Sequence, residues 1–174
     1  MHQLVESDPD VEIIWRAFEL RPEPVPMIDP NSDYLRRAWR DSVAPLAERL
    51  GVTMRFPPVK PRTRLAHEAA HWARTQGRFE DYHKEIFRAF FERGEDIGDA
   101  EVLIALAHQL ALERNSLRQA LTSHEFAASV LADEGEAARL GVSGVPAFVA
   151  NRKAALTGVQ PVENLRQLIE SLRK

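Results

Sequence analysis

The sequence predicts an α/β fold in which β elements near the two ends of the chain are separated by a long, all-helical block. Three observations carry this reading. Val11–Leu20 (VEIIWRAFEL) is rich in β-branched and aromatic residues; apolar residues recur at helical spacing over 32–140; and 141–157 alternates loop signals with short apolar runs before one last helical stripe. At 174 residues the chain fits one domain, or one domain carrying a large insertion, and can bury a substantial core.

The first run follows the turn signal Asp8-Pro9-Asp10, and its apolar residues point both ways: Val11, Ile13 and Trp15 to one side, Ile14 and Phe18 to the other. That pattern suits an inner strand covered on both faces. Residues 1–7 read as the frayed end of a helix. Pro22, Pro24, Pro26 and Pro30 then enforce an extended connection, because each fixes φ and disfavours helix in the residue before it.

Ser32 or Asp33 can cap the next segment, where Leu35, Ala38, Trp39, Val43, Leu46 and Leu50 form a stripe that Gly51 stops and Pro45 kinks. A second proline-rich stretch, 56–61, leads to Thr63 as the expected cap of a helix ended by Gly77. Phe79, Tyr82, Ile86 and Phe90 form the following stripe. Asp99 opens a helix carrying Leu103, Leu106 and Leu110, and Asn115 and Ser123 are the expected caps of two more.

After the loop Gly141–Pro146, residues 147–150 predict a short strand, Asn151-Arg152-Lys153 a hairpin turn, and 154–157 its return strand. Gln160-Pro161 starts a final helix with Val162, Leu165, Leu168, Ile169 and Leu172 on one face. The order strand, helical block, strand, strand, helix closes as one sheet if the block is a long crossover between parallel strands.

Composition excludes several function classes. With 23 Lys+Arg against 26 Asp+Glu, interspersed, the chain has no basic footprint for nucleic acid. No apolar run approaches the roughly 20 residues that span a bilayer. The start MHQLVESDPD lacks the basic and apolar regions of a secretory signal, so a cytoplasmic location is expected. The chain has no cysteine, which removes disulfides, thiolate nucleophiles and sulfur-ligated metals together. No cofactor is implied.

WRAFELRPEP, PRTRLAHEAAHWAR, ARTQGRFEDYHKEIFRAFF, GEDIGDAEVLIALA, GVSGVPAFV and the late GVQP together resemble DsbA-family proteins of the FrnE type, relatives of the 2-hydroxychromene-2-carboxylate isomerases and the kappa-class glutathione transferases. The resemblance is collinear from about Val11 onward. It implies a thioredoxin-like fold interrupted by a helical insertion: 1–31 and 141–174 as the thioredoxin-like part, 32–140 as the insertion. It implies dithiol–disulfide oxidoreduction, or a glutathione-assisted isomerisation or transfer, from a CxxC motif that follows the first strand. Neither that strand nor that motif is among these residues; 1–7 correspond to the tail of the helix that begins at the CxxC. Either the start lies upstream of Met1, or another chain or a rearrangement fills the gap, which predicts self-association.

Gly144, Val145 and Pro146 are the leading site candidates. Pro146 has no N–H to give to a sheet, so the loop can leave Val145 free to pair with an extended ligand. By resemblance this proline is cis and the ligand an extended peptide or a small thiol. A redox-inactive binding or chaperone-like relative would keep this groove without thiol chemistry.

His67-Glu68-Ala69-Ala70-His71 is a literal HExxH, whose four-residue spacing puts both imidazoles on one helix face with the glutamate as general base of a zinc hydrolase. Glu85 or Glu92 would be its third ligand. Against this, Leu65, Ala69, Trp72 and Ala73 define the buried face, and at about 100° per residue both histidines fall opposite, toward solvent. His2, His83, His108 and His124 sit singly on helical segments, where surface or core roles are expected. Ser143 has no local base and reads as a turn residue. Arg62 and Arg64 can serve an anion at a helix N-terminus, or simply a solvated cap.

Overall fold

The computed structural model describes residues 2–173, without the side chains of His2 and Gln3, so the expectation for His2 lies outside the described residues. Its elements run α1 (His2–Ser7), α2 (Asp33–Ala38), a π-helical turn Trp39–Val43, α3 (Ala44–Arg49), α4 (Arg64–Thr75), α5 (Phe79–Arg88), a second π turn Ala89–Arg93, α6 (Ala100–Gln109), α7 (Arg114–Thr122), α8 (Ala127–Arg139), β1 (Ala147–Ala150), β2 (Ala154–Thr157) and α9 (Val162–Glu170). No helix among the described residues is long and apolar enough to cross a membrane.

The chain divides into two compact units, 1–20 with 131–174 and 21–130. The joints thus fall after Leu20 and after Val130, whereas the sequence reading put them after 31 and 140.

The helical unit is built on α4 to α7. Ala69, Trp72, Ala73, Tyr82, Leu103, Leu106, Ala107 and Leu117 are almost wholly buried in one cluster, against which Phe79 and Phe90 pack half-buried. The aromatic polar groups are satisfied: Tyr82 Oη donates to Leu103 O at 2.7 Å and Trp72 Nε1 donates to Ser116 Oγ at 3.0 Å.

The expected kink is the turn Trp39–Val43. Pro45 has no N–H for the carbonyl of Asp41, and the chain slips by one residue so that Ala44 N–H donates to Trp39 O. The second π turn ends at Gly94, whose φ of +74 favours glycine; a Cβ there would also meet Pro58 Cδ at 3.1 Å.

Ser32 and Asp99 cap as expected, Ser32 Oγ accepting from Leu35 N–H and Asp99 from Glu101 N–H. Three caps are corrected. Thr63 precedes α4 but makes no side-chain cap bond. The carboxylate of Glu113 caps α7, accepting from Asn115 N–H at 3.0 Å and Ser116 N–H at 2.7 Å, because Glu113 is extended there while Asn115 is already helical. Ser123 closes α7 and opens nothing. Arg62, read as an anion ligand or a solvated cap, is engaged by the backbone: its Nη1 donates to Arg21 O at 2.9 Å and its Nη2 to Val25 O at 3.1 Å, tying down the first proline-rich loop.

In the other unit β1 and β2 form an antiparallel hairpin, with Phe148 opposite Leu156 and Ala150 opposite Ala154. Asn151 and Arg152 turn it with φ of +48 and +58. Helix α9 covers the hairpin and meets α1, with Leu4 and Leu165 buried. Arg173 donates to Asp8 at 2.9 Å, a hydrogen bond that holds the Asp8 carboxyl below its ordinary range.

Val11–Leu20 corrects the sequence reading. The segment is neither helix nor strand, and the sheet among the described residues has two strands, so the parallel crossover is not formed. Strand-forming composition makes no ladder without a neighbouring strand. Carboxylates of α8 partner the backbone instead: Asp133, 4% exposed, accepts from Ala17 N–H at 2.9 Å and from Arg16 Nη1 at 2.9 Å, and Glu134 accepts from Glu19 N–H at 3.3 Å. Ala17 and Glu19 are accordingly buried while Ile14, Trp15 and Leu20 are exposed.

Candidate functional site

The Gly144–Pro146 loop enters β1 at the open end of the hairpin. The Val145–Pro146 peptide is cis. Pro146 O accepts from Gly158 N–H at 2.8 Å, which extends the pairing one step beyond Ala147–Thr157. In an antiparallel ladder the backbone groups of alternate residues face opposite edges. Since Pro146 faces β2, so do Phe148 and Ala150, and the N–H and C=O groups of Ala147 and Val149 face away. Among the described residues no strand pairs with that outer edge.

Val145 stands at its head. Its side chain is 48% exposed, and among the described residues its N–H and C=O take part in no backbone hydrogen bond. Val149, on the same edge, is also exposed. Gly144 has open space where a Cβ would be, so the approach to Val145 is not obstructed from that side. The three residues singled out in the sequence are therefore together, and what they present is a donor, an acceptor and apolar surface beside an unpaired strand edge. Ser143 is exposed in the loop before them. The group has no nucleophile with a base, and the chain has no thiol.

The HExxH segment lies on α4 as expected, but its geometry differs from both readings. His67 and His71 are half-buried rather than solvent-facing, and Glu68, the residue meant to act on substrate, is 1% exposed. Glu85 is engaged by Arg93 at 2.8 Å and Arg88 at 3.6 Å. Among the described residues no three His, Cys, Asp or Glu side chains converge as metal ligands.

Comparison with known proteins establishes the family and the fold. Residues 1–170 match the DSBA-like thioredoxin domain. The chain belongs to that family. The DsbA-like chain superimposes on the crystal structure of a probable DsbA oxidoreductase, SCO1869 from Streptomyces coelicolor, with a TM-score of 0.81 and 26% identity over 98% of this chain and 80% of that one. It is also 39% identical over 120 residues to the uncharacterized protein YwbO of Bacillus subtilis, a match covering 67% of this chain and 60% of that protein. The fold is thus a thioredoxin-like α/β domain with a helical insertion, even though the described sheet is one hairpin.

Two features of this DsbA-like chain escaped sequence reasoning. The carboxylates of Asp133 and Glu134 that hold 16–19 lie more than a hundred residues away in sequence. His124, read as a solitary helical histidine, sits outside a helix at φ +51 with Nδ1 3.3 Å from Glu68 Oε1.

Proposed function

We propose that this DsbA-like chain, of the FrnE type, is an extended-substrate-binding module that performs no thiol–disulfide exchange through its own residues. The observation that carries the proposal is the unpaired backbone of Val145 at the head of the outer edge of β1. An extended peptide laid along that edge gains main-chain hydrogen bonds from Val145, Ala147 and Val149, and the exposed side chains of Val145 and Val149 supply apolar contact. Dithiol–disulfide exchange is the reaction the family resemblance suggests. The 174 residues contain no sulfur nucleophile for it, so any thiol in the complex is the substrate's or another polypeptide's.

The test uses a short dye-labelled peptide of alternating Val and Thr around one cysteine, together with its serine counterpart. Both peptides bind with equal affinity to the native chain. Val145→Pro, which removes the N–H, weakens binding about tenfold, the equivalent of one net hydrogen bond of about 1.4 kcal/mol. Val145→Ala, which keeps the N–H, stays within about twofold on the same scale. Equal binding by folded Val145→Pro and native protein overturns the site, and reduction of insulin by the purified chain overturns the absence of exchange chemistry.

A further inference from the structure

Glu68 is the most anomalous polar residue in the helical unit. It is 1% exposed within the apolar cluster of α4 to α7, its Oε2 has no hydrogen-bond partner among the described residues, and its Oε1 lies 3.3 Å from His124 Nδ1. An ionised carboxylate only accepts hydrogen bonds, so this pairing selects the tautomer with the proton on Nδ1 and leaves Nε2 as the ring's acceptor nitrogen. That nitrogen sits on the opposite edge of a side chain that is 63% exposed.

The backbone serves this arrangement. His124 adopts φ +51, uncommon for a residue with a side chain, in the joint between α7 and α8. The ring lines a cavity of about 260 Å³ together with Leu65, Ile104, Leu121 and the paired Arg118 and Glu101. A buried carboxylate behind an imidazole whose ring lines a cavity is an arrangement that orients a histidine as base or nucleophile.

We propose that His124, positioned by Glu68, is an acyl-accepting nucleophile for small esters with a good leaving group. The Nε2 lone pair attacks the carbonyl carbon, and the ester C–O bond breaks with the electron pair leaving on oxygen. The acylated imidazolium gives its Nδ1 proton to Glu68. Water then adds to the acyl carbon and the bond to Nε2 breaks; one water proton stays with the departing carboxylic acid, the other passes to the leaving alkoxide, and Glu68 returns its proton to Nδ1. One ester and one water become one acid and one alcohol, with no oxidant, reductant or metal.

The probe is p-nitrophenyl acetate, read as p-nitrophenolate release by the full chain. The native protein exceeds its His124→Gln variant by about tenfold or more, while His108→Gln, at an exposed histidine of α6, leaves the rate unchanged. Glu68 is a positioning residue, so Glu68→Gln is read by site-resolved modification. With diethyl pyrocarbonate, His124 of the native chain reacts faster than His108, and Glu68→Gln slows His124 by about 10-fold while His108 keeps its rate. If Glu68→Gln does not fold, the His124-to-His108 ratio in the native chain decides alone. Equal hydrolysis by folded His124→Gln and native protein, or a His124 no more reactive than His108, overturns the proposal.

Discussion

Acidification through the range between 6.5 and about 4 destabilises the helical unit through His83. Burial, first, and then the neighbouring charges of His67 and Arg74 push its imidazole down from 6.5 to about 4. The ring is stacked on Phe79 at 5.0 Å and meets the edge of Phe87 at 4.9 Å, an environment that accommodates the neutral form. The folded-state value lies below the unfolded one, so as pH falls the unfolded chain takes up the proton first. The stabilisation is complete above 6.5 and is lost progressively down to about 4. Its size is roughly 2–3 kcal/mol. In His83→Phe, which continues the aromatic stack, urea-derived stability loses that part of its slope against pH. Identical slopes in native and variant chains would refute the assignment.

Trp72→Ala costs the helical unit about 3–5 kcal/mol, a large share of the 5–15 kcal/mol typical of a domain. The indole is 2% exposed, contacts the edge of Tyr82 at 6.3 Å between ring centres, and donates to Ser116 on α7. Its removal leaves a cavity where α4, α5 and α7 meet and orphans no buried donor, so the loss is mainly of packing. Trp72→Phe, which keeps most of the volume, costs much less, the difference appearing in the urea midpoint at unchanged slope. A midpoint for Trp72→Ala equal to that of the native chain would show that the cluster is not the stabilising core.

Much of this was legible in the sequence because it is local. The helical stripes fall on observed helices and π turns, with Leu50, Leu110 and Leu172 just past the helix ends, and Pro45, Gly77 and Gly141 break the chain where their backbone chemistry requires. The loop at Gly144–Pro146 could be read because a proline before a short apolar run constrains pairing whatever surrounds it. Val11–Leu20 misled because residue type specifies a preference for extended backbone, while a strand exists only with a partner. There the partners are side chains of Asp133 and Glu134, distant in sequence and invisible to periodicity. His124 misled for a related reason. Its role depends on Glu68, 56 positions away, and on a left-handed joint that histidine adopts uncommonly. The HExxH pattern was legible, but burial of its glutamate in the core was not.

The central claim is that substrate meets this chain along the backbone that begins at Val145. Amide chemical-shift mapping with the Val/Thr peptide tests it directly, residue by residue. The claim predicts that the largest changes fall on Val145, Ala147 and Val149, with slowed hydrogen exchange at the same three amides and little change at Phe148, whose N–H already faces β2. Saturable changes confined to the helical unit, with Val145 and β1 unmoved, would contradict it.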